Sequence, residues 1–450
     1  MVSTSDVVGS PGKLYDLLQE ASVTMPIERN KHGSYLTFRS VGGLIFAFDL
    51  FVSSFTTVWL DQAYWQRAIA SKPETSVKAY ILGGLAWYGI PFGFATVMGL
   101  GCAALTSNPE FPTFPNPLSM EQTNAGLSAP ATAITLLGKG GAVLMLILLF
   151  MAVTSSTSAE LIAVSSLLTF DVYKTYFRPN TSSETLVKVS HWAIALYAVV
   201  LAAFCCILNA AGISLTWILT VLGVIVGGAS LPVGMILLWK PMSTAAAVGA
   251  PWIGFLCGLL VWFVTTWKRS GTIDVATTGD TTNALAGNLA SFGVGFIMAV
   301  VLTFVFPKKH AARLDAIPGF SKQTKHEKPE ADVSEAKEPV STSDAPDELV
   351  APVLARNELV DYLESNNTEP MDPIQAKKAE RLAWMATGIF FFGAVILVPF
   401  TLFGTSYVYS KSFFTGWVVV SFIWVWTSVM ICVVYPVVSG DFPLKRRDIE

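Results

Sequence analysis

Two clusters of polar residues interrupt long apolar stretches, and these are the places where chemistry is expected. The first is M-A-V-T-S-S-T-S-A-E, residues 151–160, in which five hydroxyl residues run from Thr154 to Ser158 and Glu160 follows. On a helix advancing about 100° per residue, Ala152, Ser155, Ser156, Ala159 and Glu160 project from one broad face. Adjacent hydroxyls and free backbone carbonyls suit a dehydrated sodium ion, a hard cation that takes oxygen ligands. The plainer reading is that Ser and Thr bond their own i−4 carbonyls and let helices pack closely. Glu160 is a candidate to carry a proton, to accept a hydrogen bond from substrate, or to face a polar gap between helices.

The second cluster begins at Gly42-Gly43 and contains Asp49, Ser53, Ser54, Thr56 and Thr57, then Trp59, Asp61, Gln62, Tyr64, Trp65 and Gln66-Arg67. So polar and aromatic a stretch is poor as a lipid-facing helix. It is expected to unwind near the membrane centre and to offer its freed backbone groups to a substrate. The plainer reading is an ordinary helix whose Asp49 faces another helix. Asn209, Thr216, Trp217 and Thr220 give weaker signals of the same kind.

The elements that must position these residues are membrane helices. Of the 450 residues 52% are hydrophobic and 14% charged, and the mean hydropathy is +0.54. A soluble domain carries about 25% charge, so this chain cannot clothe an aqueous surface. Apolar runs near twenty residues long predict nine spans, A to I, at about 41–60, 78–106, 132–170, 189–209, 213–238, 244–266, 286–306, 384–403 and 413–438. The third is long enough to be bent.

Lysine and arginine in the short loops set the orientation. Arg67, Lys72 and Lys78 lie between A and B, Lys174, Arg178 and Lys188 between C and D, and Lys445, Arg446 and Arg447 after I. Residues 107–131 have no Lys or Arg, and the loops after F and H carry few. The C-terminus is therefore expected in the cytoplasm, and nine spans then put the N-terminus outside. Residues 1–38 are polar and contain no signal peptide. Met1 is accordingly expected to lie in an extracellular loop of a longer protein. The resulting organisation is an extracellular loop at 1–40, five membrane helices at 41–238, two peripheral helices at 239–306, a cytoplasmic insertion at 307–383, two helices at 384–438 and a cytoplasmic tail at 439–450. The insertion is Lys/Glu/Pro/Ser-rich over 320–350, a composition that favours disorder. Residues 354–363 could add a short amphipathic helix. The glycosylation triplets at Asn180 and Asn366 fall on cytoplasmic loops and are expected to be unused.

Several classes are excluded. A net charge of −3 leaves no basic surface for nucleic acid. The five cysteines, Cys102, Cys205, Cys206, Cys257 and Cys432, all lie in apolar runs, so no disulfide framework is expected. His32, His191, His310 and His326 are far apart and build no metal motif, which disfavours an intramembrane hydrolase.

Three strings carry a resemblance: residues 151–174 (M-A-V-T-S-S-T-S-A-E-L-I-A-V-S-S-L-L-T-F-D-V-Y-K), 61–72 (D-Q-A-Y-W-Q-R-A-I-A-S-K) and 9–18 (G-S-P-G-K-L-Y-D-L-L). With them the chain resembles the sodium:solute symporter superfamily and, within it, the urea active transporters of fungi and plants. The resemblance implies an all-α polytopic protein carrying the second half of an inverted-repeat core of five plus five helices, with peripheral helices added. It implies that the Ala152 carbonyl and the Ser155 and Ser156 hydroxyls help to hold sodium. Spans A to E resemble the sixth to tenth core helices, so the first core helix, which lends two more carbonyls, is expected outside this chain. On the substrate side the resemblance points to Ser54 and Thr57. It also points to Trp87, which stands where sugar carriers have a lysine ahead of Pro91-Phe92 and fits a small planar substrate. Asp61 and Glu160 complete the expected substrate set. Asp49 and the Ser53-Ser54 pair depart from the glycine and amide residues of the family pattern.

The expectation is thus a secondary transporter in the bilayer, in the plasma membrane, importing urea or a small amine such as a polyamine. The coupling ion is H+ or Na+, with no cofactor and no enzymatic activity. As an incomplete chain it is expected not to transport on its own. A membrane sensor or a urea channel with a symporter-like body is the alternative.

Overall fold

The computed structural model describes residues 5–71, 73–179, 181–307 and 373–438, and the expectations for 320–350, 354–363, Asn180, Asn366 and the basic tail lie outside them. Among the described residues nine helices are long and apolar enough to cross a membrane. They are α2 (Val41–Leu60), α4 (Ser76–Leu105), α5 (Ser128–Phe177), α6 (Ser183–Ala210), α7 (Leu215–Leu238), α8 (Thr244–Ser270), α9 (Thr281–Val305), α10 (Ile374–Gly404) and α11 (Lys411–Val438). The longer helices outside the spans are α1 (Pro11–Thr24) and α3 (Gln62–Ala70).

Side-chain caps explain many of the helix starts, because the first N–H groups of a helix have no intrahelical acceptor. Ser40 Oγ accepts from Gly43 N at 3.1 Å, Ser214 Oγ from Trp217 N at 3.2 Å, Ser243 Oγ from Ala246 N at 3.2 Å and Ser410 Oγ from Phe413 N at 3.2 Å. Asp61 ends α2 and caps α3, its Oδ1 accepting from Ala63 N at 2.7 Å.

Two long spans are distorted where sequence demands it. Within α4 the turn widens to π-helix over Ile90–Gly99. Pro91 has no N–H to give the Trp87 carbonyl, so an i→i−4 rung is lost there. In α5, Gly138 has φ +56° and ψ −139°, which breaks the helix into two legs. A left-handed φ of this kind is available at low cost only to glycine.

The best-packed region is a bundle of α2, α7, α8 and α9. Its centre is a contact of three glycines from three helices, Gly228, Gly254 and Gly295: a Cβ on Gly254 would stand 2.9 Å from both of the other Cα atoms and 2.7 Å from the Ser291 carbonyl. Small residues spaced four apart, Gly223/Gly227, Gly254/Gly258 and Gly287/Ser291/Gly295, line these faces. Apolar lipid gives helices no hydrophobic reason to associate, so close backbone approach supplies dispersion instead. Val221, Val224, Trp262 and Ala284 fill one end of the bundle, and Met242, Ala246, Ala250 and Ala299 the other.

A second core joins the N-terminal segment to the last helix. Leu14, Leu18 and Leu36 pack with Leu105, Phe111, Tyr409 and Phe414. Tyr15 donates to the Tyr409 carbonyl at 2.9 Å, Tyr409 N to the Leu36 carbonyl at 2.8 Å, and Lys411 pairs with Asp16 at 2.6 Å. Residues 5–40, the connection after α4 and the connection before α11 therefore sit together at one end of the structure. Burial pushes the Tyr409 phenol up from its usual range, so it stays protonated.

The α5–α6 pair stands apart. Only the first leg of α5 is well covered, with Thr132 Oγ1 donating to the Met98 carbonyl at 2.8 Å. From Val143 to Val153 the large apolar side chains other than Met145 are exposed.

If the three-glycine contact holds the bundle together, Gly254→Leu should lower detergent-phase stability by about 1–3 kcal/mol. Gly84→Ala, where a Cβ meets nothing within 4 Å, should leave the melting midpoint unchanged or slightly raised. Thermal size-exclusion assays on both variants check this, and an unshifted Gly254→Leu midpoint would contradict the packing.

Candidate functional site

The helix that carries the second polar cluster is not unwound. Residues Val41–Leu60 form one continuous α-helix, and the chain turns only at Asp61, so the expected mid-membrane break is corrected. The polar residues need no unwinding because they find partners on neighbouring helices. Asp49, Val52, Ser53 and Thr56 are buried on one face, turned to α7 and α9, while Ser54 and Thr57 lie exposed on the other.

Ser53 does more than pack. Its Oγ donates to the Leu219 carbonyl at 3.0 Å and accepts from Gly223 N at 3.1 Å, bridging a rung of the α7 helix from outside. Thr56 and Thr57 return their hydroxyls to the Val52 and Ser53 carbonyls at 2.7 and 2.9 Å. This is the back-bonding that lets a hydroxyl sit in an apolar helix.

The turn at Asp61 leads α3 onto α5. There Asp61 and Glu160 lie near each other, with Arg67 near by. Gln66 Nε2 donates to the Ala163 carbonyl at 3.4 Å. Trp59 and Trp65 pack with ring centroids 6.3 Å apart, and Trp65 Nε1 donates to the Trp59 carbonyl at 3.0 Å. Beside them an open cleft of about 310 Å³ is lined by Trp59, Gln62 and Trp65 together with Val233, Ile236 and Leu237 of α7.

The structure thus brings Asp61 and Glu160 together and keeps Ser54 and Thr57 on one accessible face. Trp87 is 66% exposed on α4, and no hydrogen bond or ring contact ties it to the others among the described residues. Ala152, Ser155 and Ser156 are also exposed, one to two turns before Glu160 on the same helix. Their neighbours Thr154 and Ser158 are satisfied internally, donating to the Phe150 and Ser155 carbonyls at 2.7 and 2.9 Å. The side-chain hydroxyls of Ser155 and Ser156 make no hydrogen bond to the described residues. Sequence reasoning placed Trp65 and Gln66 in the second polar cluster but gave them no substrate or ion role. Their signal was present, since both lie in the string 61–72 that also holds Asp61.

Residues 2–254 match the sodium:solute symporter family. The chain is 36% identical to the urea active transporter of Saccharomyces cerevisiae, over 97% of this chain and 63% of that protein. It is 34% identical to the probable urea active transporter 1 of Schizosaccharomyces pombe, over 97% of this chain and 60% of that one. Against the urea-proton symporter DUR3 of Oryza sativa subsp. japonica the identity is 38%, over 68% of this chain and 44% of that protein. The chain spans about three fifths of the length of the fungal relatives. No solved structure matches it at a significant level.

Interhelical hydrogen bonds in membranes contribute about 0.6–1.7 kcal/mol. Ser53→Ala should therefore lower the melting midpoint measurably, and Ser54→Ala should not. Equal effects of the two substitutions would show that the faces of α2 are assigned wrongly.

Proposed function

The chain belongs to the sodium:solute symporter family, and from that premise we propose that it takes part in cation-coupled import of urea. The observation that carries this reading is the seating of α3 on α5, where Gln66 donates to the Ala163 carbonyl and Asp61 comes near Glu160. It joins the end of the helix bearing Ser54 and Thr57 to the helix bearing Ala152, Ser155 and Ser156, so substrate-side and ion-side residues share one mechanical link. The names of the fungal and rice relatives support urea as the substrate.

In this reading the Ser155 and Ser156 hydroxyls and the Ala152 carbonyl offer oxygen ligands to the coupling cation. A sodium ion would take all three, and a proton would be carried by a carboxyl group. Urea is planar, with two N–H₂ donors and one carbonyl acceptor. Asp61 and Glu160 accept from its N–H groups, Ser54 and Thr57 supply hydroxyls, and the packed Trp59–Trp65 pair, rather than Trp87, gives the aromatic face beside Asp61. Occupation of the cation site would favour the conformation that binds substrate, and rocking of helices would then expose both to the other side. The protein would work in the plasma membrane with its C-terminus in the cytoplasm. A polyamine would need carboxylates at both ends of a long cleft. The single Asp61–Glu160 cluster favours the smaller molecule.

Labelled-urea uptake by cells that express the native protein and lack other urea carriers tests the reading. Accumulation against a gradient, abolished by collapsing the ion gradient, is expected. Passive equilibration alone would mean a channel. A hydrogen bond to a charged group contributes about 1.5–3 kcal/mol. Ser155→Ala and Ser156→Ala should therefore each weaken dependence on the coupling ion about tenfold or more. Unchanged ion dependence in the double substitution would remove these serines from the ion site.

A further inference from the structure

One buried carboxylate is used by nothing above. Asp49 is 0% exposed in the middle of α2, and Asn288 of α9, also 0% exposed, faces it. Asn288 Nδ2 donates to Asp49 Oδ1 at 2.8 Å and to the Thr220 carbonyl of α7 at 2.7 Å. With both amide hydrogens committed to oxygens, the amide cannot be turned over without setting oxygen against oxygen. Two acceptors are then left without any donor, Asp49 Oδ2 and Asn288 Oδ1.

We propose that the Asp49–Asn288 pair is a proton-binding site buried between α2, α7 and α9. A proton on Asp49 Oδ2 turns that oxygen into a donor and offers Asn288 Oδ1 the partner it lacks. Acid and amide then form the two-bond ring in which each gives one hydrogen and accepts one. Without the proton, two unpaired acceptors and a net charge remain in a dry interior, a costly arrangement. The proton is taken from water and returned to it, and no other bond changes.

A metal cation fits less well. Hard cations take on the order of six oxygens, whereas Asn288 Oδ1 lies only 2.8 Å from the position a Cβ on Gly223 would occupy, with Val52 Cγ1 at 3.0 Å from the same point. Ser291 Oγ is a third buried oxygen without a partner near by on α9.

No other charge neutralises Asp49. It is the one Asp, Glu, Lys, Arg or His in α2, and α7 and α9 contain none. The N-cap Asp280 of α9 is two turns, about 12 Å, from Asn288 and is engaged by Arg269 at 3.0 Å. Arg269 also donates to Asn283 Oδ1 at 2.7 Å, and Lys268 precedes it in the last turn of α8. The α10 helix meets α2 through Phe400 against Phe48, and its charges, Lys377, Lys378, Glu380 and Arg381, lie about five turns away. The proton is therefore the available counter-charge.

The site shares α2 with Ser54 and Thr57, which lie exposed outside its buried face. Its role in transport rests on the importer reading above, whereas protonation does not. Binding or loss of the proton would alter how α2 is held against α7 and α9, and so where the exposed face is presented.

Infrared difference spectroscopy of the native protein in lipid vesicles, in light and heavy water, reads the proton directly. At neutral pH the wild type should show the carbonyl stretch of a hydrogen-bonded neutral carboxylic acid. Asp49→Asn should lose that band, and Asn288→Ala should keep it at a higher frequency because the ring is opened. Superimposable wild-type and Asp49→Asn spectra would overturn the proposal, as would a band displaced by sodium at constant pH. Should Asp49→Asn fail to fold, the Asn288→Ala shift decides, and an unshifted band would overturn the pairing. Labelled-urea uptake on the same preparations separates the two readings. A band with no urea uptake leaves the proton site standing and sinks the importer, and uptake with no band does the reverse.

Discussion

The bilayer interior offers no water, so every polar group on a membrane helix must find its partner in the protein. The seam between α2, α7 and α9 shows how this constraint organises the rest. Ser53 takes the Leu219 carbonyl and the Gly223 N–H, and Asn288 takes the next carbonyl, Thr220, together with Asp49. Two consecutive carbonyls of one helix thus anchor two other helices. That geometry requires backbones to approach closely, and the glycines at 223, 228, 254 and 295 allow it. Polar pairing supplies direction and glycine packing supplies contact; neither would suffice alone where apolar surface is as content in lipid as in protein.

Away from the seam the same constraint has the opposite effect. The second leg of α5 presents Ala152, Ser155 and Ser156 without covering side chains, although Thr154 and Ser158 are back-bonded into the helix. A helix that simply tolerated its serines would satisfy all of them in this way. Ser155, Ser156 and Thr157 are left over, and Ser156 and Thr157 fall nearest the face of Glu160, so this stretch is the one proposed for the ion. The breaks at Gly138 and Pro91 set the direction of the helices around it. One comes from a left-handed backbone conformation and the other from a missing donor, so both are built in rather than induced.

The end formed by residues 5–40 and the approach to α11 is a different kind of structure. Leucines and tyrosines pack there around backbone hydrogen bonds, as in a soluble core, and the Asp16–Lys411 pair is half exposed, so it contributes little. Its consequence is geometric. It holds the start of the chain to its last span and to the end of α4, closing the sequence into one assembly across a separation of nearly four hundred residues.

Much of this was legible without coordinates. Nine spans follow from apolar run lengths, and among the described residues α2 keeps the bounds Val41 and Leu60 that its run length predicts, Ser40 capping it and Asp61 ending it. The string 151–160 was legible as unusual for the same reason that makes it costly in lipid. What the sequence could not decide was which face of α2 is buried. Its polar residues suggested unwinding, because a helix read alone shows Asp49 and Ser53 as unpaired. Their partners are Asn288, 239 residues away, and Gly223, 170 away. Hydropathy determines that a segment lies in the membrane and where it starts and stops, since these depend on local composition. Which polar atom meets which depends on the rotation and closeness of helices distant in the chain, and that is a property of the packed bundle alone.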